Sequence, residues 1–516
     1  MAEARASAGA SLATPPLRDD DLVDQALTRA AGAPLVAGNR VRLLKDGTEN
    51  YPAWLDAIRG ATRTIHFENY IFYEDDVGRQ FAEALASRAR EGVRVRLLQD
   101  WMGGLGKASR AFWRNLVKAG VEVRFFNPPR ISNPFDWLHR DHRKLLSVDG
   151  SRAFVTGLCV GRMWAGDAAR GVEPWRDTGV EIRGPAVRTV ELAFARVWAL
   201  AGAPLPEDEL QSGSTVPKAG DTAVRIVANS PGTAALLRID QLVAAAARER
   251  LWLTDAYFAG IAPYVQALRS AALDGVDVRM LVPGASDMMI LRPLSLAGYR
   301  PLLEAGVRLF EWQGPMLHAK TAVADGGWAR VGSSNLNLAS WIGNYELDAV
   351  VEDTAFAAEM EKMFLTDLER CTEIVLHPRQ RRHAMQAWRE MRAARRQAPP
   401  ARPLERGSAG RAAAGALRLG RTVGAAFSKE RMLGSTEAKI VAVLGIAALA
   451  LSAMALVWPL IVAVPFAVLG SWTAAGLLAR AYALRRERRA LGLPPTRVTR
   501  RQQAQVDTPE AEARRQ

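Results

Sequence analysis

The sequence predicts an α/β protein in which two similar α/β sandwich domains share one active site on a pseudo-twofold axis. Strand and helix patterns alternate from about residue 38 to about residue 375, the alternation repeats once, and each copy carries a His-x-Lys-x4-Asp motif. A chain of 516 residues with 49% hydrophobic residues is long enough to bury the cores of two or three domains.

Residues 1–37 form a polar leader rich in Ala, Pro and Asp, which we expect to be flexible. The leader has no apolar segment behind its first arginine, which argues against a secretory signal peptide. We therefore expect the domains that follow it to stay in the cytoplasm.

The first domain is predicted at 38–202 and the second at 221–375. In the first, ATRTIHFENYIF precedes a helical stretch and the strand pattern EGVRVRLL; the second repeats this order with ARERLWLTDAYF, a helix and DGVDVRMLV. Strands that alternate with helices favour mainly parallel pairing with helices on both sheet faces. Residues 203–220, rich in Pro, Gly, Ser and charge, are predicted to link the domains.

The composition shifts to Arg and Ala over 376–438, which predicts a basic linker. Its first part has the residues of a basic amphipathic helix, and the Pro-, Gly- and Arg-rich remainder is typical of flexible chain. Contact with a membrane surface and a plain solvated linker are equally compatible with this composition.

Residues 439–480 are predicted to form a transmembrane helical hairpin. From Ile440 to Ala479 the chain has no charged residue, and about 20 apolar residues suffice for one span. The pair Trp458-Pro459 breaks the stretch, and Lys or Arg residues flank both ends, which places both ends in the cytoplasm. A buried hairpin in a soluble protein is the less favoured alternative, and 481–516 would be a basic cytoplasmic tail.

A net charge of +14 indicates an anionic partner, either nucleic acid or an acidic membrane face. The two cysteines, Cys159 and Cys371, cannot build a disulfide framework, and neither has the spacing of a metal ligand. We expect two reduced thiols.

Two of the six histidines occur in the same motif. The first copy reads His142-Arg-Lys144 and ends at Asp149, and the second reads His318-Ala-Lys320 and ends at Asp325; these six residues are the candidate catalytic set. A single His-x-Lys is more often an ordinary half-exposed strand, but the duplication favours a functional site.

On a strand, the histidine and lysine of each motif would point to one face. If the copies pack about a pseudo-twofold axis, two imidazoles and two ammonium groups meet in one cleft, which suits a phosphodiester. The lysines would neutralise the non-bridging oxygens, one neutral imidazole would attack phosphorus, and the other would donate a proton to the leaving oxygen. This chemistry needs neither a metal nor a cofactor.

These motifs resemble the phospholipase D superfamily, and the first-half segments YIFYEDDVG and EGVRVRLL are similar to those of bacterial cardiolipin synthases. The resemblance covers roughly residues 38–375. It implies ping-pong chemistry through a phosphohistidine, with His142 as nucleophile and His318 as general acid. It also implies that carboxylates about thirty residues beyond each histidine orient the imidazoles, and Asp177 and Glu346 occupy those places.

The resemblance further implies supporting roles for Ser333 and Asn335, whereas Asp149 and Asp325 are expected to hold the turn after each strand. Where the second copy has Gly-Ser-Ser-Asn335, the first has Thr-Gly-Leu-Cys159, so we expect a different brace in the first half-site. Asp177 is followed by Thr178-Gly179, where synthases often have a histidine.

The resemblance thus predicts a phosphatidyltransferase that makes cardiolipin from two phosphatidylglycerols in the cytoplasmic membrane of a bacterium. The hairpin favours a lipid substrate over nucleic acid, because it would hold the cleft near a bilayer. A phospholipase D-type hydrolase releasing phosphatidic acid and, with less support, a nuclease remain alternatives. Both half-sites are complete, which argues against a non-enzymatic scaffold. The acceptor alcohol and the oligomeric state leave no signal in the sequence.

Overall fold

The computed structural model describes residues 19–129, 138–210, 216–285, 287 and 291–376, and in the C-terminal part residues 449, 467, 470–472, 474–475, 478 and 482. Residues 19–128 and 138–376 belong to one compact unit, and the described C-terminal positions belong to another and are helical.

The first half of the compact unit begins with helix α1 (Asp19–Ala31) and then alternates strands and helices. Its strands are β1 (Val36–Lys45), β2 (Thr64–Asn69), β3 (Arg94–Asp100), β4 (Glu122–Phe126), β5 (Leu145–Val148), β6 (Arg152–Thr156) and β7 (Thr178–Arg183). Its other helices are α2 (Asp46–Arg59), α3 (Asp76–Arg90), α4 (Arg110–Lys118), α5 (Arg162–Ala165) and α6 (Ala186–Leu200), with a 3-10 turn at Ala168–Arg170.

The second half repeats the pattern. Its strands are β8 (Thr222–Asn229), β9 (Arg250–Thr254), β10 (Asp277–Pro283), β11 (Arg308–Trp312), β12 (Thr321–Ala324), β13 (Trp328–Gly332), β14 (Glu346–Glu352) and β15 (Cys371–Ile374). Its helices are α7 (Ala235–Ala246), α8 (Ala262–Asp274), α9 (Leu291–Glu304) and α10 (Thr354–Leu368), with a π-helical turn at Ala339–Gly343.

Local sequence explains where several of these helices begin. Asp75, Ser109 and Asp353 precede α3, α4 and α10, and their side chains accept hydrogen bonds from the backbone N–H groups three residues on, at 2.8–3.1 Å. Each cap satisfies a donor that the first helical turn leaves free.

The described strands hydrogen-bond in the order β15-β11-β10-β9-β12-β13-β14-β8-β1-β7-β6-β5-β2-β3-β4. Read outward from the central β8–β1 pair, β1-β7-β6-β5-β2-β3-β4 repeats as β8-β14-β13-β12-β9-β10-β11, which confirms the duplicated α/β fold. The inner strands of the two halves, β6 and β7 against β13 and β14, also pack against each other. Buried side chains of both halves, including Val155, Phe194, Val331 and Phe364, form one shared core between them.

The prediction of mainly parallel pairing is wrong. Only β2–β3–β4 and β9–β10–β11 are parallel among the described strands, and the other neighbours are antiparallel. The tight turns that begin at Asp149 and Asp325 join β5 to β6 and β12 to β13, and a short turn permits only antiparallel pairing.

The leader is not flexible throughout, because its residues 19–31 form α1. The apolar side chains of Leu27, Ala30 and Ala31 are buried in the core of the second half beside α7. Asp24 of α1 also contacts the buried guanidinium of Arg225 at 2.5 Å. Part of the predicted linker is anchored as well, since Leu205 and Glu209 are buried.

Both cysteines are free thiols, as expected. Within the part of the chain that the structure describes, no helix is both long and apolar enough to cross a membrane. The predicted basic linker at 376–438 and the predicted hairpin at 439–480 lie almost entirely outside the described residues.

Candidate active site

The two His-x-Lys segments lie directly before strands β5 and β12. The sequence predicted that they lie on the strands. His142 and Lys144 precede Leu145, the first residue of β5, and His318 and Lys320 precede Thr321, the first residue of β12. Each lysine side chain folds back so that its Nζ donates to the backbone carbonyl of its own histidine. The lysine and the histidine of each motif are therefore coupled by a local hydrogen bond.

Short backbone bridges tie each histidine segment to the opposite half of the molecule. The backbone N–H of His142 donates to the carbonyl of Tyr345 at 3.0 Å, just before β14. The backbone N–H of His318 donates to the carbonyl of Arg176 at 2.7 Å, just before β7. Each histidine thus lies beside the start of a strand of the other half, where Glu346 begins β14 and Asp177 precedes β7.

These bridges pair each imidazole with a carboxylate from the other half. Nδ1 of His142 lies 3.0 Å from both carboxylate oxygens of Glu346, and Nδ1 of His318 lies 2.6 Å from Oδ2 of Asp177. All four side chains are nearly or fully buried. A carboxylate that accepts the Nδ1 proton leaves Nε2 as the free, basic nitrogen of a neutral imidazole.

The second half braces Glu346 with two hydroxyls. Ser333 Oγ donates to Oε2 at 2.5 Å, and Ser340 Oγ donates to Oε1 at 2.6 Å. Asn344 Nδ2 adds a longer contact of 3.5 Å to Oε1. The predicted supporting role of Ser333 therefore acts through Glu346.

The first half braces Asp177 differently, as the departure at Thr-Gly-Leu-Cys159 led us to expect. Trp164, which has the same spacing from its motif histidine as Ser340, donates its indole N–H to Oδ2 at 3.1 Å. The backbone N–H of Thr178 donates to Oδ1 at 2.8 Å. Gly157 takes the place of Ser333, and a Cβ there would lie 2.2 Å from Asp177 Oδ1, so a side chain has no room.

Two tyrosines complete the pseudo-symmetric half-sites. Nζ of Lys144 lies 5.1 Å from the ring centroid of Tyr70, and Nζ of Lys320 lies 5.7 Å from that of Tyr257. The same rings contact His142 and His318 edge-on, with centroids 4.8 and 5.8 Å apart. The aromatic faces stabilise the ammonium groups and fix the ring planes of the imidazoles.

One cavity of about 700 Å³ brings the half-sites together. Its lining includes His142, Lys144, His318, Tyr70 and Tyr257. Cys159 and Asn335, which have equivalent positions in the two copies, also line it, and Asn335 Oδ1 is buried without a hydrogen-bond partner among the described residues. The cavity therefore has a polar wall at the second half-site and a thiol at the first.

Burial lowers the pKa of both imidazoles, although the carboxylates oppose it. The pKa of His318 falls to about 4, mainly through desolvation and the nearby Lys320 ammonium. The pKa of His142 is also lowered, by desolvation and by both motif lysines. Because Lys320 also acts on His142 and Lys144 also acts on His318, the four groups share one electrostatic environment. The free protein thus holds both imidazoles neutral near pH 7.

The same burial lowers the pKa of Lys320 to about 8, with a further contribution from Lys144. Desolvation alone would raise the pKa values of Asp177 and Glu346, but the imidazoles and lysines beside them lower both on balance. The carboxylates therefore remain ionised.

Asp149 and Asp325 lie at the other end of the short strand from the histidines, where they hold the turns. The Asp149 carboxylate accepts the backbone N–H groups of Thr62, Arg63 and Thr64 at 2.8–2.9 Å. The Asp325 carboxylate accepts those of Arg248, Glu249 and Arg250 at the same distances. Both have positive φ, which aspartate tolerates in turns. Their contacts assign these motif aspartates to the turn and away from the reacting groups.

Sequence reasoning missed Tyr70, Tyr257, Trp164 and Ser340. A signal existed for the tyrosines, because Tyr-Ile-Phe72 and Tyr-Phe258 follow corresponding strands of the two copies. Trp164 and Ser340 could not be recognised from their matched spacing, because an indole and a hydroxyl share only the ability to donate a hydrogen bond. Among the described residues, no group of three or more His, Cys, Asp or Glu side chains is arranged to hold a metal ion.

A duplicated α/β fold that joins two His-x-Lys half-sites in one cavity defines a phospholipase D-like protein. Residues 54–162 and 241–368 match the family model "Cardiolipin synthase, PLD-like domain". Cardiolipin synthase of Halalkalibacterium halodurans is 34% identical over 67% of this chain and 69% of its own length. Cardiolipin synthase A of Pseudomonas entomophila is 33% identical over 70% of this chain and 75% of its own length.

The chain belongs to the cardiolipin synthase family of phospholipase D-like proteins. Among solved structures, the phosphatidylserine synthase of Haemophilus influenzae matches with a TM-score of 0.53 at 14% identity, covering 72% of this chain and 98% of that chain. At this identity the match supports the fold.

Proposed function

We propose that this protein is a phosphatidyltransferase that makes cardiolipin from two phosphatidylglycerols. The observation that carries the proposal is the pair of contacts between His142 and Glu346 and between His318 and Asp177, with both histidines on one cavity. A member of this family with both contacts has an oriented nucleophile and an oriented general acid in the same site. The catalytic groups are His142, Lys144, His318 and Lys320, and Asp177, Glu346 and Ser333 position the imidazoles.

The first half of the cycle cleaves the donor lipid. Nε2 of His142 attacks phosphorus, the bond from phosphorus to the glycerol headgroup breaks, and His318 gives its proton to the departing oxygen. The positively charged lysines neutralise the negative charge on the non-bridging oxygens. Because His318 has a low pKa in the free protein, the anionic phosphodiester must raise it on binding, by neutralising the lysines that depress it.

The second half of the cycle transfers the phosphatidyl group. The hydroxyl of a second phosphatidylglycerol gives its proton back to His318 while its oxygen attacks phosphorus, and the bond to His142 breaks. The protein returns to its starting protonation state, and glycerol and cardiolipin are the products.

The walls of the cavity support a lipid substrate. Ile71, Met102 and Met163 line it beside the catalytic groups, and Leu138 and Leu338 line it with about half of each side chain exposed. An apolar rim of this kind suits acyl chains that lie next to a headgroup. This wall composition favours a lipid phosphodiester over a nucleic-acid backbone.

We also propose the domain arrangement and the membrane attachment that the sequence predicts. Residues 38–202 and 221–375 would be the two catalytic domains, and 439–480 a hairpin in the cytoplasmic membrane of a bacterium. The uncharged 440–479 stretch and its basic flanks support this attachment, with the catalytic domains on the cytoplasmic side.

The proposal is tested by thin-layer analysis of purified protein with labelled phosphatidylglycerol in mixed micelles. Wild type should form cardiolipin and glycerol, and His142→Ala and His318→Ala should each lose activity by at least about a thousandfold, since both imidazoles act in one cycle. His139→Ala is the matched control, because that exposed histidine is outside the motif. Phosphatidic acid as the main product would make the protein a hydrolase, and substantial turnover in either motif variant would contradict the two-histidine mechanism.

A further inference from the structure

A second cavity, of about 610 Å³, opens on the first half away from the catalytic groups. Four arginines line it, namely Arg40, Arg42, Arg152 and Arg183, and we call it the arginine cavity. They lie on β1, β6 and β7, three to five residues along these strands from Lys45, Thr156 and Thr178. The backbones of Thr156 and Thr178 contact Lys144 and Asp177 of the active site, so roughly 10–17 Å of strand separates the two places.

One buried carboxylate aligns three of these guanidinium groups. Glu181, whose side chain is 5% exposed, accepts Nε and Nη2 of Arg42 at 3.0 and 2.6 Å. It also accepts Nε of Arg152 at 2.7 Å and Nε of Arg183 at 2.8 Å. Glu181 thus holds three guanidinium groups, and with Asp56 beside Arg152 two carboxylates face three positive charges, so the repulsion among the guanidiniums is only partly cancelled.

Much of the donor capacity at this cavity has no described partner. Among the described residues, Nη1 of Arg42 and both Nη groups of Arg183 make no hydrogen bond, and neither does the exposed side chain of Arg40. Nη1 of Arg152 is taken by Asp56 at 3.0 Å, which leaves its Nη2. The remaining acidic residue of the lining, Glu49, accepts a backbone N–H of Lys45 at 2.8 Å.

The fold does not require this cluster. At the equivalent spacing from the second motif, Trp328 stands in place of Arg152, and by the equivalent strand pairing Val350 on β14 stands in place of Glu181 on β7. The duplicated half therefore keeps the same strands and pairings with a different charge pattern, since its one arginine at these positions, Arg225 in place of Arg42, pairs with Asp24 and Glu352.

We propose that the arginine cavity binds a phosphate-bearing anion at a site separate from the catalytic one. Guanidinium groups match phosphate oxygens with paired N–H donors, and a fixed carboxylate that preorganises them lowers the entropy cost of binding. The volume is that of a small-ligand site. The ligand is a phosphate ester, either the headgroup of an anionic phospholipid or a soluble phosphate compound.

The test uses the full chain in detergent, with His142→Ala in every sample so that no probe is turned over. Binding of two probes is measured by calorimetry: inorganic pyrophosphate, and dihexanoyl-phosphatidylglycerol below its micellar concentration. The site variant carries Arg40→Gln and Arg183→Gln, which spare the two guanidiniums closest to Glu181. The control carries Arg79→Gln and Arg90→Gln, two exposed arginines elsewhere, so both proteins lose the same charge.

We expect two binding events in the parent, one at the catalytic cavity and one at the arginine cavity. The site variant should weaken the second event by at least about tenfold for one or both probes, and the control should stay within about twofold of the parent. Loss for pyrophosphate alone identifies a soluble phosphate ligand, and loss for the lipid alone identifies a headgroup. Equal binding by all three proteins, or equal weakening in both variants, would overturn the proposal. If thermal melting shows that the double variant is unstable, Arg40→Gln is compared with Arg79→Gln, because the Arg40 side chain makes no hydrogen bond or ion pair among the described residues.

Discussion

The crossed contacts between His142 and Glu346 and between His318 and Asp177 make each half of the chain depend on the other. Each half supplies one imidazole and the carboxylate that orients the other imidazole. The sequence identified all four residues, because they fall at the spacings that the family resemblance implies. It could not show the crossing, which depends on backbone bridges such as Tyr345 to His142 that form only after the halves pack.

Removing the charge of one carboxylate should act on the imidazole of the opposite motif. The Glu346 carboxylate raises the pKa of His142 against desolvation, so Glu346→Gln should lower the pKa of His142 further and leave His318 unchanged. Titration of isotope-labelled histidines by NMR measures both values. Asp177→Asn is the matched control and should move His318 alone; a response of His318 to Glu346→Gln would contradict the crossed pairing.

The ionisation of Lys320 should limit activity at alkaline pH. Burial lowers its pKa to about 8, and only the charged form stabilises the phosphodiester, so kcat/KM should fall as the pH rises through about 8. Phosphatidylglycerol itself does not titrate in this range, so the decline reports on the protein. Lys320→Arg should shift the decline to higher pH at a lower maximal rate, since a guanidinium stays charged. A wild-type profile that is flat to pH 10 would show that Lys320 does not control binding.

The turns of the strand pairs β5–β6 and β12–β13 contain the motif aspartates, Asp149 and Asp325. The aspartate of each motif therefore stabilises the fold, and its histidine and lysine belong to the active site. The sequence placed the turns correctly because Asp-Gly follows each strand, a pattern typical of tight turns. It could not predict which side chain donates to Asp177. Trp164 does so in the first half and Ser340 donates to Glu346 at the equivalent position of the second, and the two residue types share only a hydrogen-bond donor.

Asp149→Ala should therefore reduce stability more than activity. The change removes the acceptor for three backbone N–H groups and places alanine at a φ of 53°, which together cost about 2–4 kcal/mol. Thermal melting should show a clear decrease, while the protein that remains folded at low temperature keeps kcat within about threefold of wild type. Asp149→Asn, which tolerates the same φ, should lose less stability. Normal melting with lost turnover would instead make Asp149 a catalytic residue.

The whole chain combines two copies of one α/β unit with a basic, partly apolar C-terminal region. Repeated motifs made the duplication visible, and the shared core of both halves explains why neither copy is complete alone. The pairing directions were mispredicted because alternating strands and helices resemble a parallel sheet, although four of the six strand pairs among β1–β7 are antiparallel. The α1 helix was missed because its apolar face is short and becomes buried only against α7 of the other half.

Membrane attachment through the predicted hairpin can be separated from catalysis by truncation. A chain ending at residue 438 loses the uncharged 440–479 stretch, which at about 20 residues per span accounts for two crossings. It should move from the membrane to the soluble fraction and still convert phosphatidylglycerol in mixed micelles, because every group proposed for catalysis lies before residue 376. A chain ending at residue 480 keeps the hairpin and should remain in the membrane. Retention of the shorter chain in washed membranes would place the main attachment elsewhere, and the exposed Leu138 and Leu338 beside the active-site cavity would be the first residues to replace.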